Sequence, residues 1–520
     1  MGRRSMVWLV LATAACSRAP APHTASPAVA PTGDIASDEL RKDLYTFADD
    51  SMRGRETGTD DAMRAAQFIA ARVEHLGLEP AGDSLFLQRV PLQRERFAPS
   101  TEISVQEGGR TRSLALGADV MPLMNLGAGL PLPRRNVEGD IVFAGYALAT
   151  ASPRRDDLAG LDLDGKVAVV VNGAPAGADS ATRARLEGQG AISERLARIL
   201  PLRPAAVIVL FIGSGVSAYE QLAQELQRAV SVRTTNNDVP DAERPVPMIL
   251  LGVAKAGSPL LPSGWPADDR VQVLRGRRFS AHVTQERTWF TAFNVVAVVP
   301  GSDPTLARTF VAFGAHYDHI GIVQPVKSDS IANGADDDGS GTVSLLAIAR
   351  NIQQMPVRPK RSMLFVWHVG EEKGLLGSGY FVEHPTVPID SLVAQLNADM
   401  IGRNEPSLLY IVGPKAAPNH QSKRLGAIVD SVNASEAQPF VFNREWDSLT
   451  HPEHIYERSD HFNYARKGVP IAFFTTGVHA DYHTPSDDVS KIDYEKMARV
   501  ARLMRDVGVA VGNGAKRPTR

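Results

Sequence analysis

Residues 309–354 read TFVAFGAHYDHIGIVQPVKSDSIANGADDDGSGTVSLLAIARNIQQ. The near-continuous apolar run Thr309 to Ala315 predicts a strand covered on both faces. His316-Tyr317-Asp318 follows it directly, and GADDDGSG (334–341) leads into Thr342 to Gln354, whose apolar residues recur at helical spacing. Strand, polar loop and helix form the repeating unit of an α/β sheet. Outward from this stretch the unit recurs. Strands are expected at Val295 to Val299, Ser362 to His368, Leu392 to Ala398 and Ile471 to Thr475, with helices at Leu375 to Glu383, Gln421 to Val432 and Tyr494 to Val507. The fold class is therefore α/β, a doubly wound and mostly parallel sheet with helices on both faces. Ahead of it, Ser37-Asp38 is expected to cap a helix through Leu40, Leu44 and Phe47. A second helix starts at Asp60-Asp61 and ends at Gly77.

From about Ala118 to Phe279 the texture changes to short β-type runs: Ile141 to Tyr146, Val167 to Val171, Ala206 to Phe211 and Pro247 to Leu251. Helical stretches at Thr182 to Leu200 and Ala218 to Val230 separate them. This reads as an inserted β-rich or α+β unit. Gly160 to Lys166 fits the G-x-x-x-x-G-K phosphate loop, but Val167 stands where Ser or Thr is required and a β run follows, so that reading fails.

The chain has 520 residues, too many for one core, with 43% hydrophobic and 22% charged residues and a net charge of −2. With no basic excess, a nucleic-acid partner is not expected. A single cysteine excludes disulfide frameworks and thiolate metal sites. That cysteine, Cys16, follows Arg3-Arg4 and the short apolar run Met6 to Ala15, which resembles a bacterial lipoprotein signal. Residues 1–15 are expected to be a signal peptide, with Cys16 the lipidated mature terminus. Ordinary cleavage after Ala14 is the alternative. The expected location is thus the cell envelope, reached through a lipid anchor, or otherwise the exterior. Residues 16–36, rich in Pro and Ala, read as a tether.

The polar residues of interest sit just beyond the predicted strands, where open α/β sheets gather ligands. His316 and Asp318 follow the first, Asp336 to Asp338 lie before a helix, Glu371-Glu372 follow the next strand, Asp399 the one after, and His483 the last. Each fragment alone has an ordinary reading as a turn, a cap or a solvated charge pair. Together they offer carboxylate and imidazole donors of the kind that suits zinc.

The ordered blocks HYDHIG, GADDDGSG, GEEKGLLGS, LNADMIGR, ERSDH and DYHT, with MRGRETGT (52–59), resemble the two-zinc aminopeptidases of the family that also contains glutamate carboxypeptidase and glutaminyl cyclase. GKVAVVVNG and VPMILLGVAKAG are similar to the protease-associated domain inserted in such enzymes. The resemblance implies a peptidase domain split over 37–117 and 280–512, an inserted domain at 118–279 and a tail at 513–520. It implies two zinc ions per chain, or another divalent metal. Asp337 would bridge them, His316 and Asp399 would complete one position, and Glu372 and His483 the other. Glu371 would be general base to a bridging hydroxide, Asp318 would orient His316, and Tyr482 would steady the oxyanion. Arg458 would contact substrate, and the peptide joining Asp337 to Asp338 would be cis. The implied activity is release of an N-terminal residue from peptides or other N-terminal aminoacyl substrates. Aminoacylase, dipeptidase or carboxypeptidase chemistry, or a non-catalytic receptor-like role, are the alternatives.

Overall fold

A computed structural model of the chain describes residues 34–124, 133–151, 154–188, 190–213, 215–228, 232–233, 244, 246–267, 269–413, 423–451 and 453–518. Cys16, the signal segment and nearly all of the tether lie outside them. Among the described residues no helix is long and apolar enough to cross a membrane.

Eight strands of a ten-stranded sheet frame the site: β1 (Leu87–Phe97), β2 (Gln285–Val299), β3 (Phe310–His316), β4 (Ser362–His368), β5 (Leu392–Ala398), β6 (Leu408–Val412), β7 (Val441–Asn443) and β8 (Ile471–Thr475). Their order is β1-β2-β4-β3-β5-β8-β6-β7. The central four, β4, β3, β5 and β8, run parallel. Antiparallel pairs β1–β2, β2–β4 and β8–β6 flank them, so the sheet is mixed. After β3 the chain places β4 on one side and β5 on the other. That change of direction opens a crevice at the strands' carboxyl ends.

Helices α1 (Ser37–Phe47), α2 (Asp60–His75), α3 (Gly341–Gln353), α4 (Leu376–Glu383), α5 (Lys423–Ser435), α6 (His461–Arg466) and α7 (Tyr494–Asn513) cover both faces. Side chains alternate along β3, as the pleat requires. Val311, Phe313 and Ala315 join Leu44, Ile69, Val343, Leu425 and Met497 in one core. Ala312 joins Leu364, Val366, Phe381 and Tyr464 in another. Burying a side chain such as Phe313 or Leu364 contributes about 1.5–3 kcal/mol, and two-sided cover explains why these strands read as unbroken apolar runs.

Three local expectations differ from the structure. Ala36, not Ser37, holds the N-cap position of α1, and the Ser37 hydroxyl donates instead to Glu495. The helix read from Thr182 to Leu200 is two helices, Ser180–Glu187 and Ala191–Ile199, broken around Gly188 and Gly190, where glycine disfavours the helix. The expected strand Val295 to Val299 is only the end of the longer β2, whose outer part carries Gln, Glu and Arg and offers no apolar run.

A second, eight-stranded sheet contains Val167–Asn172, Ala206–Phe211 and Met248–Val253. It also takes in Glu102–Glu107 and Arg110–Ser113, ahead of the change of texture at Ala118. Lys166 does not open a phosphate loop: its Nζ sits 2.6 Å from Asp162 and the chain passes straight into a strand.

Candidate active site

His316 ends β3 fully buried. Its main-chain N–H donates to Asp338 Oδ2 at 3.1 Å and its carbonyl accepts from Thr342 Oγ1 at 2.6 Å. Nδ1 lies 3.0 Å from the main-chain oxygen of Asp318, which assigns the proton to that nitrogen and leaves the Nε2 lone pair facing inward. Nε2 is 3.2 Å from Asp337 Oδ1, 3.7 Å from Asp399 Oδ1 and 3.9 Å from Glu371 Oε2.

Asp318, expected to orient His316, meets that ring through its main chain. The group that orients His316 is the Asp318 carbonyl, while the carboxylate stands 3.8 Å from Nδ1. That carboxylate accepts from Thr57 Oγ1 at 2.8 Å and from the Glu371 N–H at 3.2 Å, so it fixes the loop carrying Glu371.

The three consecutive aspartates divide their work. Asp336 Oδ1 accepts from the Gly402 N–H at 2.7 Å, and Asp338 Oδ1 from the N–H groups of Gly341 and Met400 at 3.0 and 3.3 Å. Asp487 accepts the N–H groups of Asp336 and Asp337. Backbone thus engages the flanking carboxylates, and that of Asp337 faces imidazoles. Its Oδ1 meets His316, and its Oδ2 stands 3.2 Å from His483 Nε2. The Asp337–Asp338 peptide is cis. Burial alone would raise the Asp337 pKa, yet His316, His319 and His483 hold it well below the usual carboxylate range.

Beyond β4 the chain turns at Gly370, and the adjacent glutamates point apart. Glu372 Oε2 lies 3.0 Å from His483 Nε2. Glu371 faces His316. Burial, reinforced by Asp399, Glu372 and Asp460, pushes the Glu371 carboxyl well above its ordinary value, although His316 opposes this. Burial alone would depress His483, but Glu372 and Asp337 bring it up to about 10. The Tyr482 ring stacks on His483 with centroids 3.8 Å apart. Burial and the nearby carboxylates raise the Tyr482 phenol, which stays protonated and able to donate.

Two residues given no role by sequence reasoning belong here. Arg55 is fully buried and donates to the carbonyls of Tyr317, Phe47, Asn333 and Gly334, tying α1, the end of β3 and the aspartate loop together. Burial lowers it to about 10, against the pull of Asp337 and Asp318. Its signal was MRGRETGT, legible as a block but not as a function. His319, also fully buried, places Nδ1 2.7 Å from Glu372 Oε1 and 3.6 Å from Asp337 Oδ2. HYDHIG contained it, but the spacing predicted nothing for it.

His368 and His454 are not among the grouped ligand-type residues. His368 packs in the core with Nε2 3.2 Å from the Tyr464 hydroxyl, and burial brings it down to about 3. His454 is exposed.

A cleft opens above these groups. Asp337, Glu371 and Asp399 line it on one side, and Met400, Trp446, Ile455, Phe473 and Val478 form an apolar wall. Tyr482 and the exposed Arg458 also line it.

The donor set fits divalent metal ions. His316 Nε2, His319 Nδ1, His483 Nε2 and Glu372 Oε1 are buried atoms without a hydrogen-bond partner. Left so, each would cost about 1–3 kcal/mol. Potential ligand atoms fall into two clusters, His319, Asp337, Glu372 and His483 in one, and His316, Glu371 and Asp399 in the other.

Fold and site together define a class: a mixed α/β sheet bearing a buried carboxylate–imidazole cluster at its switch point. Residues 294–508 match the model of Peptidase family M28. Relatives by sequence include a probable leucine aminopeptidase of Arthroderma otae, 29% identical over 43% of this chain and 58% of the relative. Leucine aminopeptidase 1 of Trichophyton rubrum is 29% identical over 45% of this chain and 62% of the relative. The match therefore spans roughly three-fifths of these relatives' length. Similar solved structures are an aminopeptidase from Aneurinibacillus sp. strain AM-1, with TM-score 0.54, 19% identity and coverage of 92% and 93% of the two chains. Another is a zinc aminopeptidase from Bacillus subtilis, with TM-score 0.50, 17% identity and coverage of 91% and 94%. These likenesses show the fold.

Proposed function

We propose that this chain is a zinc-dependent aminopeptidase. One observation carries the reading: the two oxygens of Asp337 each lie 3.2 Å from a different imidazole nitrogen, His316 on one side and His483 on the other. A carboxylate so placed suits two ions, one held with His316 and Asp399 and the other with Glu372 and His483. Such ions supply Lewis acidity, which polarises the scissile carbonyl and acidifies the attacking water.

The chain's own groups do the rest. Glu371, at the cleft and facing His316, takes the water's proton and delivers it to the leaving amine. Asp318 holds the Glu371 main chain in place. Tyr482 donates its O–H to the oxygen that gains charge. The apolar wall of Met400, Trp446, Ile455, Phe473 and Val478 fits an aliphatic or aromatic N-terminal side chain. The names of the sequence relatives, leucine aminopeptidases, agree with an apolar preference.

The test is a panel of aminoacyl chromogenic amides beside N-blocked peptides and peptides cleavable only from the carboxyl end, with and without chelator. Leucine and phenylalanine amides with a free amine are expected to turn over at least about tenfold faster than charged ones, a discrimination of the size apolar pockets achieve. Chelator is expected to abolish the activity. Preference for N-blocked or carboxyl-end substrates would move the chain to the aminoacylase or carboxypeptidase type.

A further inference from the structure

Resting on that reading, we infer that His319 is a fourth protein ligand of the ion held by Asp337, Glu372 and His483, which makes the two metal positions unequal.

Four side chains bring ligand atoms within 4.8 Å of one another. His483 Nε2 stands 3.2 Å from Asp337 Oδ2 and 3.0 Å from Glu372 Oε2. His319 Nδ1 stands 2.7 Å from Glu372 Oε1 and 3.6 Å from Asp337 Oδ2. Donors on a tetrahedral zinc with bonds of about 2.0–2.1 Å lie roughly 3.3 Å apart, and the observed separations bracket that value. The two imidazole rings approach from different directions, with centroids 5.5 Å apart and planes at 73°.

The alternative is that His319 simply donates a hydrogen bond to Glu372. The contact is short, yet neither Nδ1 of His319 nor Oε1 of Glu372 makes a hydrogen bond of acceptable direction, and Nε2 has no partner either. A fully buried imidazole with both nitrogens unpaired is costly unless something else meets one of them. The backbone is also shaped to bring this ring in. Gly334 has φ +57°, and a Cβ there would lie 2.5 Å from the His319 ring and 2.3 Å from the Asp337 carbonyl oxygen. The Arg55 guanidinium holds the Gly334 carbonyl at 3.0 Å, so the glycine's approach is fixed.

Four protein donors close a tetrahedral zinc position, as structural sites do, whereas three leave room for exchangeable ligands. The other position, beside His316 and Asp399, is the one that faces the cleft and Glu371. One ion is thereby set to be tightly held and the other to be the more labile.

X-ray absorption of the native zinc-loaded protein tests this without a variant. If His319 binds, the three imidazoles His316, His319 and His483 are shared by two ions, about one and a half histidines per zinc on average. About one per zinc overturns the inference. Zinc titration of His319→Ala against a competing chelator gives a second reading. The position it shares is expected to weaken at least about tenfold, and the other to stay unchanged. Two equivalents bound with native affinities also overturn the inference. Native protein that binds no zinc would instead sink the proposed function, so the two failures are distinguishable.

Discussion

Glu371→Gln is expected to lower kcat at least about a hundredfold, the ordinary contribution of a general acid–base group, while zinc content stays at the native level. Glutamine keeps the shape and the hydrogen-bonding capacity but takes up no proton. Metal retention is the discriminating part of the result. Glu371 lies near both His316 and Asp399, and on proximity alone it qualifies as a ligand. The distances favour the other arrangement: Asp337 approaches His316 Nε2 to 3.2 Å, while Glu371 remains at 3.9 Å. Its main-chain N–H is anchored to Asp318, which holds the side chain at the cleft wall. Elemental analysis together with steady-state kinetics checks this. A variant that loses one equivalent of zinc makes Glu371 a ligand, and one with near-native turnover removes it as the base.

Asp337→Ala is expected to be more severe, because one substitution acts on both positions. Groups that merely support a ligand are worth about 10–100-fold in metal affinity, so a shared ligand should cost more than about a hundredfold at each position. Activity should fall to background. Removing this carboxylate also strips His316 of its nearest negative oxygen and leaves Glu372 as the close carboxylate of His483. Zinc titration of the variant measures the outcome, and retention of one tight equivalent would show that Asp337 serves one ion rather than two.

The strands of the parallel centre were legible because cover on both faces turns them into apolar runs. The ligand-type residues were legible because they fall at the carboxyl ends of those runs or in the loops that follow them. The outer parts of the β1–β2 pair were not, since exposure there lets Arg, Glu and Gln interrupt any pattern, and only Val295 to Val299 stood out. Glu102–Ser113 was hard to place for a similar reason: the outermost strand, Arg110–Ser113, is wholly exposed and polar. The division among Asp336, Asp337 and Asp338 depends on hydrogen bonds to Gly402, Gly341, Met400 and Asp487, distant in sequence, and only the family resemblance singled out the middle residue. Asp318 shows the limit of a motif from the other side. The H-x-D spacing located the right residue, but its carbonyl and its carboxylate serve different partners, which sequence does not resolve. Arg55 and His319 act by reaching across the fold, and no local period marks them.

The central claim is that the Asp337 carboxylate lies between two ions. Crystals of the zinc-loaded protein, measured at the zinc absorption edge, test it most directly. Two anomalous peaks roughly 3.5–4 Å apart on opposite sides of that carboxylate are predicted. A single peak, or two peaks without Asp337 between them, would contradict the account.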